Sequence, residues 1–215
     1  MALRLDTVAI TLHGKPLLRP FSLAIGPGEI VTLMGKSGSG KSSLLSFIAG
    51  DLDPPFTAQG RIALDHRDME NLPPHSRNIG RLFQDDLLFP HLTVGENLLF
   101  GMPRGKRAPR LQAMAEALQD AELEGFANRA PHALSGGQRA RVALMRALVA
   151  KPAAMLLDEP FNKLDAALRE AMRQFVYAHL KERGIPCLLV THDRADAPHG
   201  GRVLRIAASG EILDD

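Results

Sequence analysis

A single cysteine, Cys187, stands among 215 residues. That excludes a disulfide framework, and the apolar run Cys187-Leu188-Leu189-Val190 places it as a buried thiol. Aromatic residues make up only 5%, and none interleave with the basic clusters Arg104-Gly105-Lys106-Arg107 and Arg139-Ala140-Arg141 as a base-stacking surface requires. The first cluster reads as a solvated face. Excess charge is missing too: 26 Lys and Arg against 24 Asp and Glu leave +2, too near balance for a protein that coats nucleic acid, and no nucleic-acid partner is expected. No apolar run approaches the ~18 residues that cross a bilayer. Met1-Ala2-Leu3-Arg4-Leu5-Asp6 lacks the apolar segment of a secretory signal. A cytoplasmic protein with one well-filled core is expected, given 215 residues of which 45% are hydrophobic.

What is present alternates strand and helix. Val8–Leu12 and Phe21–Ile25 are strand-like runs punctuated by His13-Gly14-Lys15-Pro16 and Gly26-Pro27-Gly28. They predict a small antiparallel layer beside the strand Ile30–Met34. Further strands are expected at Gly60–Asp65, Ile79–Phe83, Ala154–Leu157, Cys187–Thr191, Val203–Ile206 and Glu211–Leu213. From Asp85 to about Pro131 the texture turns helical: Leu111, Met114, Ala115 and Leu118 share one helix face, and Gly125 is a stop. A second helix is expected from Gly137 to Ala150. A third is marked by Leu168, Met172, Phe175, Val176 and Leu180. The alternation predicts a mostly parallel α/β sheet carrying a helical insert.

Chemistry concentrates in three places. Ile30-Val31-Thr32-Leu33-Met34 is an unbroken apolar run, as a buried parallel strand requires. It leads directly into Gly35-Lys36-Ser37-Gly38-Ser39-Gly40-Lys41-Ser42, and Ser43 to Ala49 then reads as a helix. Strand, glycine loop and helix in that order make a phosphate cradle, with backbone N–H groups and the helix N-terminus turned to a polyphosphate. Lys41 is placed to reach the β- and γ-phosphates and Ser42 to bind Mg²⁺. Second, Met155-Leu156-Leu157-Asp158-Glu159-Pro160 delivers two acids to the C-terminal end of a strand, where open α/β sheets bind ligands. Asp158 suits Mg²⁺ through its water shell. Glu159, on an extended backbone, points the other way and is free to deprotonate a water. Third, Leu134-Ser135-Gly136-Gly137-Gln138 opens the helix carrying Arg139 and Arg141, either as a Ser N-cap with a flexible approach or as a second anion site serving the nucleotide of another copy.

These motifs together resemble the ATP-binding subunit of an ABC transporter. Leu134 to Gln138 match that family's signature, Gly35 to Ser42 its Walker A motif, and Met155 to Glu159 its Walker B motif. Gln84 matches its Q-loop glutamine, Leu164-Asp165 the end of its D-loop, and His192 its switch histidine. The other seven of the eight histidines show no metal-ligand spacing and read as surface residues. The resemblance runs from about Ala2 to Asp215. It implies a P-loop NTPase fold in one ATP-binding domain, with residues 1–84 and 145–215 as core, about 85–144 as insert, and no regulatory domain after Asp215.

It further implies an Mg²⁺-dependent ATPase in which Gly35 to Ser43 and Gln84 bind ATP, and Ser42, Gln84 and Asp158 serve the metal. Glu159 is the implied general base, and His192 the implied holder of the γ-phosphate and water. Ser135, Gly136, Gly137, Gln138 and Asp165 are implied to complete the ATP site of a second copy or a related ATPase subunit. The stretch Asp85 to Asn97 is similar to the region of bacterial importers that receives a coupling helix, so permease subunits, a substrate-binding protein and a place on the inner face of the cell membrane are implied. The thiamine, iron and polyamine importer ATPases are the similar types.

Four positions depart from the pattern. Leu12, beside His13, stands where the family stacks an aromatic residue on adenine, so stacking is either weaker or supplied by His13. Lys36 replaces a frequent proline, and Asn162-Lys163 replace small residues before Leu164-Asp165. Two rivals remain open: a soluble ABC-type ATPase working as a mechanical switch on ribosomes or DNA, opposed by the single cassette and the short Gln84–Leu134 spacing; and a small-molecule P-loop kinase, which has no use for Leu134 to Gln138.

Overall fold

Alternation of apolar and polar residues at the N-terminus folds as an antiparallel hairpin. In the computed structural model, which describes residues 1–83 and 85–215, β1 (Leu3–Leu12) and β2 (Lys15–Ile25) pair antiparallel. β1 begins five residues before the expected run because Leu3 and Leu5 point inward while Arg4 and Asp6 face solvent, a period-2 pattern. β3 (Ile30–Met34) then leads to α1 (Lys41–Ala49), followed by β4 (Phe56–Leu64), the short β5 (Arg67–Asp68) and β6 (Ile79–Leu82). Next come α2 (Val94–Gly101), α3 (Arg107–Asp120) and α4 (Gly136–Val149). β7 (Ala154–Asp158), α5 (Ala166–Glu182), β8 (Cys187–Thr191), β9 (Val203–Ile206) and β10 (Ile212–Asp214) complete the chain.

Two sheets form. One is antiparallel in the order β2-β1-β4-β5, and the other runs β10-β9-β3-β8-β7-β6. Within the second, β9, β3, β8 and β7 are parallel neighbours. β7 and β8 are buried at every residue, so they read in sequence as unbroken apolar runs. Register decides where the chemistry lies. Met34 pairs with Thr191 and Asp158 with Val190, so the chain leaves β3, β7 and β8 at one edge, delivering Gly35, Glu159 and His192 there.

The chain divides into two compact units. The first comprises residues 1–81, 153–159 and 175–215, the second residues 82–152 and 160–174. The first unit's core joins both sheets through Leu3, Leu5, Ile10, Ile25, Val31, Leu33, Leu44, Ile48, Leu156, Leu188 and Val190, each such side chain contributing roughly 1.5–3 kcal/mol when fully buried. Cys187, the first residue of β8, is fully buried, and burial pushes its thiol well above the usual range.

The second unit holds α2, α3 and α4. Here the expected α3 stripe is only partly right: Leu118 is buried, whereas Leu111 and Ala115 are exposed and Ala117 takes the inward position. The helix packs through its C-terminal half, continuing into buried Ala121 and Leu123. Among the described residues no helix is long and apolar enough to cross a membrane.

Candidate active site

In the first unit the glycine loop closes over a lysine. Lys41 opens α1, is 7% exposed, and donates from Nζ to the carbonyls of Gly35 (2.7 Å) and Lys36 (3.0 Å). Gly40 precedes it at φ 99°, a left-handed conformation that only glycine adopts without strain. No side chain among the described residues caps α1, whereas α2 and α4 are both capped by side-chain oxygens. The first-turn N–H groups of α1 are therefore offered to an external acceptor. Lys36, Ser37 and Gly38 line the exposed outer turn, and the Ser39 hydroxyl is buried with no hydrogen-bond partner among the described residues. A buried orphan hydroxyl inside a phosphate-type loop fits a polar ligand there. Ser42 and Ser43 occupy the first turn of α1.

Beside this loop the acids differ sharply. Asp158 is 8% exposed, and burial pushes its carboxyl above the ordinary aspartate range. The Ser42 hydroxyl bonded to it and the nearby Arg81 guanidinium act against that rise, Glu159 adds to it, and Lys41 opposes it. A hydroxyl and a carboxylate side by side are two hard oxygen donors, the kind a small hydrated divalent cation takes together with phosphate oxygens.

Glu159 corrects one expectation. Its backbone is not extended: β7 ends at Asp158, and Glu159 turns into the left-handed region at φ 48° while its N–H donates to the Val190 carbonyl (2.9 Å). Such a conformation in a non-glycine residue is strained and is held by its surroundings. The turn brings Glu159 Oε1 to 3.3 Å from His192 Nδ1, with the histidine side chain 62% exposed and the glutamate 18%. Loop, acid pair and histidine thus meet in the first unit.

The remaining sequence-assigned residues lie in the second unit. Ser135 caps α4: its Oγ accepts from the Gln138 N–H (3.2 Å) and Gln138 Oε1 accepts from the Ser135 N–H (2.9 Å), a reciprocal capping box. Gly136 and Gly137 form the first turn of α4. A Cβ on Gly137 would stand 3.1 Å from Leu168 Cδ2, so glycine here permits close packing. Asp165 caps α5, its Oδ1 accepting from the Leu168 N–H (3.0 Å). Gln84 lies outside the described residues. The acids after it are tied down within the unit: Asp85 pairs with Lys163 at 3.0 Å and Asp86 with Arg139 at 3.4 Å.

Several residues escaped the sequence reading. Arg81 donates to Ser46 Oγ (3.0 Å) and Asp51 (2.8 Å); a charge inside the run Ile79–Phe83 was the available signal. Asn97, fully buried, donates to the carbonyls of Phe89, Leu92 and Thr93 and accepts from the Phe89 N–H. It braces a stretch in which Leu88, Phe89 and Leu92 are half-buried, Phe89 meeting Phe100 edge-to-face at 4.6 Å. Leu87, next to this stretch in sequence, and Phe100, against Phe89, remain exposed at 55% and 66%, and Phe83 is 37% exposed. His179, expected at the surface, is half-buried beside Phe175.

Comparison with known proteins follows the same lines. Residues 18–162 match the family described as ABC transporter. The chain is 45% identical over 205 residues to the uncharacterized ABC transporter ATP-binding protein YnjD of Escherichia coli K12, covering 95% of this chain and 94% of that one. It is 40% identical over 212 residues to the putative 2-aminoethylphosphonate import ATP-binding protein PhnT of Salmonella paratyphi A, spanning 97% of this chain but 57% of the relative. To the Fe(3+) ions import ATP-binding protein FbpC of Pseudomonas fluorescens it is 42% identical over 217 residues, spanning 60% of that protein. Among solved structures, the dimeric post-hydrolysis state of the ATP-binding cassette MJ0796 bound to ADP and Pi superposes with a TM-score of 0.85 at 34% identity, covering 99% of this chain and 97% of that one.

Proposed function

The chain belongs to the ABC transporter family, and from that premise we propose that it is the ATP-hydrolysing subunit of an importer, acting as a pair of cassettes on separate membrane subunits. The single observation that carries the catalytic part is the Glu159–His192 pair, 3.3 Å apart, beside the Lys41 loop and the Ser42–Asp158 pair.

In this reading ATP lies along the loop from Gly35 to Ser43, its phosphates bonded by the first-turn N–H groups of α1 and by Lys41. Ser42 and Asp158, with Gln84, would hold Mg²⁺, which would supply charge neutralisation to the phosphates. Glu159 takes a proton from a water as that water's oxygen bonds to the γ-phosphorus and the bond to the ADP oxygen breaks. His192 bonds the γ-phosphate and keeps the water in line. Catalysis is then positioning and charge stabilisation. Ser135, Gly136, Gly137, Gln138 and Asp165 of a second copy, or of a related ATPase subunit, complete each site. His13 or Leu12 meets the adenine.

The exposed Phe83, Leu87 and Phe100 and the braced Phe89 form the apolar surface that takes a coupling helix of a permease subunit, which places the protein on the inner face of the membrane. A substrate-binding protein completes the importer. Residues 1–215 act as one ATP-binding domain with a helical insert. The names of the relatives point to small polar solutes or ferric iron as cargo, and the membrane subunits do the selecting.

Light scattering of Glu159→Gln with Mg²⁺ and ATP tests the scheme. Removing the base while keeping both binding surfaces is expected to give ATP-dependent dimers, and Lys41→Ala is expected to stay monomeric. Glu159→Gln monomers with ATP demonstrably bound would overturn the two-cassette site.

A further inference from the structure

The scheme above uses His192 but not the groups that hold it, and His192 cannot hold itself. Its side chain is 62% exposed, so little packing fixes it, and its distance from Glu159 depends on the backbone turn that follows β8. That turn is built on a buried polar pair. Thr191, the last residue of β8, and Asp196 are both 0% exposed. The Thr191 hydroxyl donates to Asp196 Oδ2 at 2.7 Å and accepts from the Asp193 N–H at 3.1 Å. One hydroxyl therefore ties the residue before His192 to the amide after it.

The rest of the turn is fastened through Asp193 and Asp196. Asp193 Oδ1 accepts from the Ala195 N–H (2.9 Å), and the Asp196 N–H donates to the Asp193 carbonyl (3.0 Å). From α5, the Tyr177 hydroxyl donates to the Asp196 carbonyl.

Asp196 offers the Thr191 hydroxyl a carboxylate oxygen that is buried beside it. The 2.7 Å bond that it accepts leaves the hydroxyl a single orientation. The hydroxyl's proton is committed to Asp196, so its lone pair is committed to the Asp193 amide. We propose that Asp196 is a positioning residue for ATP hydrolysis, acting through the Thr191 hydroxyl and anchored by Tyr177, to fix the turn that presents His192 to Glu159. A displacement of about 1 Å at such a site is enough to lower a rate up to about 100-fold.

The inference rests on the assignment of His192 to hydrolysis, and the experiment separates the two. ATPase rates are measured on the full chain, by single turnover where the variants are slow. Thr191→Val, which keeps the shape and removes the hydroxyl, is expected to lower kcat about 10-fold with KM for ATP within about twofold. Thr191→Ser is expected to stay within about twofold of the parent. Adding Thr191→Val to His192→Ala is expected to cause no further loss, because the turn then has nothing to present. Should Thr191→Val fail to fold, Tyr177→Phe is the milder probe, with a kcat loss of about threefold that also disappears in the His192→Ala background.

An equal loss from Thr191→Val or Tyr177→Phe in the His192→Ala background overturns the positioning role, since the effect then bypasses the histidine. A slow Thr191→Ser overturns it as well. A full rate in His192→Ala alone overturns the assignment of His192 and this inference with it.

Discussion

Asp158 serves two opposed demands. Holding a cation requires its ionised form, yet burial disfavours that form and pushes its carboxyl above the ordinary aspartate range. Because the native protein binds this proton more readily than the unfolded chain does, the charge destabilises the fold above the raised value. The penalty disappears as pH falls below the ordinary aspartate range. Asp158→Asn keeps an acceptor for Ser42 and removes the charge. It is expected to raise the thermal midpoint at pH 8 by about 2–4 °C, the shift that 1 kcal/mol produces in a chain of this length. The gain should vanish near pH 3, and ATP hydrolysis should be lost throughout. Calorimetry across pH checks this, and a lower midpoint at pH 8 would mean that Asp158 supports the fold. Glu159 is a comparable case of site before stability, since its left-handed backbone is a strain that the bond from its N–H to the Val190 carbonyl holds in place. Nothing in the letters Asp158-Glu159-Pro160 announced that turn: an apolar strand ending in two acids looks extended until the chain has to leave the sheet.

At the level of elements, α2 and α4 begin with the same device. Thr93 with Glu96 and Ser135 with Gln138 each form a reciprocal capping box. Loss of either hydroxyl is expected to cost about 1 kcal/mol of stability, visible as similar shifts in urea midpoint for Thr93→Ala and Ser135→Ala. Only Ser135→Ala, made in the Glu159→Gln background, is expected to lose ATP-dependent dimers, because in the proposed scheme only that helix start serves a nucleotide of another copy. If both variants dimerise equally well, Ser135 is a cap and nothing more. A serine cap and an anion site call for the same residues at a helix start, which is why the sequence left the two readings open.

Other elements were legible to differing degrees for physical reasons. β8 was expected at the residues where it occurs, because strands buried on both faces carry unbroken apolar runs. β1 was cut short because its first apolar residues, Leu3 and Leu5, alternate with the charged Arg4 and Asp6. α3 was expected to bury a stripe that it exposes in part, since a helix packing only through its C-terminal half leaves apolar residues such as Leu111 in solvent. Thr191–Asp196 was invisible because its meaning lies in a hydrogen bond across five positions, not in any period.

For the whole molecule, the exposed apolar side chains need an explanation that the fold itself does not give. Leu87 and Phe100 lie near Phe89 in a stretch braced by fully buried Asn97, and Arg146 stacks over the Phe89 ring at 5.3 Å. Apolar groups left in water by a rigid, hydrogen-bonded frame are typical of a surface made for a partner. Being exposed, they contribute little to stability, so charges can be placed there without unfolding the chain. The double variant Leu87→Glu/Phe100→Glu is expected to keep its thermal midpoint within about 2 °C and, with Glu159→Gln, to keep ATP-dependent dimers. In cells that produce the complete transporter, it is expected to move from the membrane fraction to the soluble fraction. Fractionation followed by immunodetection reads this directly. Retention at the membrane with an intact fold would show that the permease docks elsewhere, whereas loss of ATP-dependent dimers would show that this surface serves cassette pairing and not the membrane subunit.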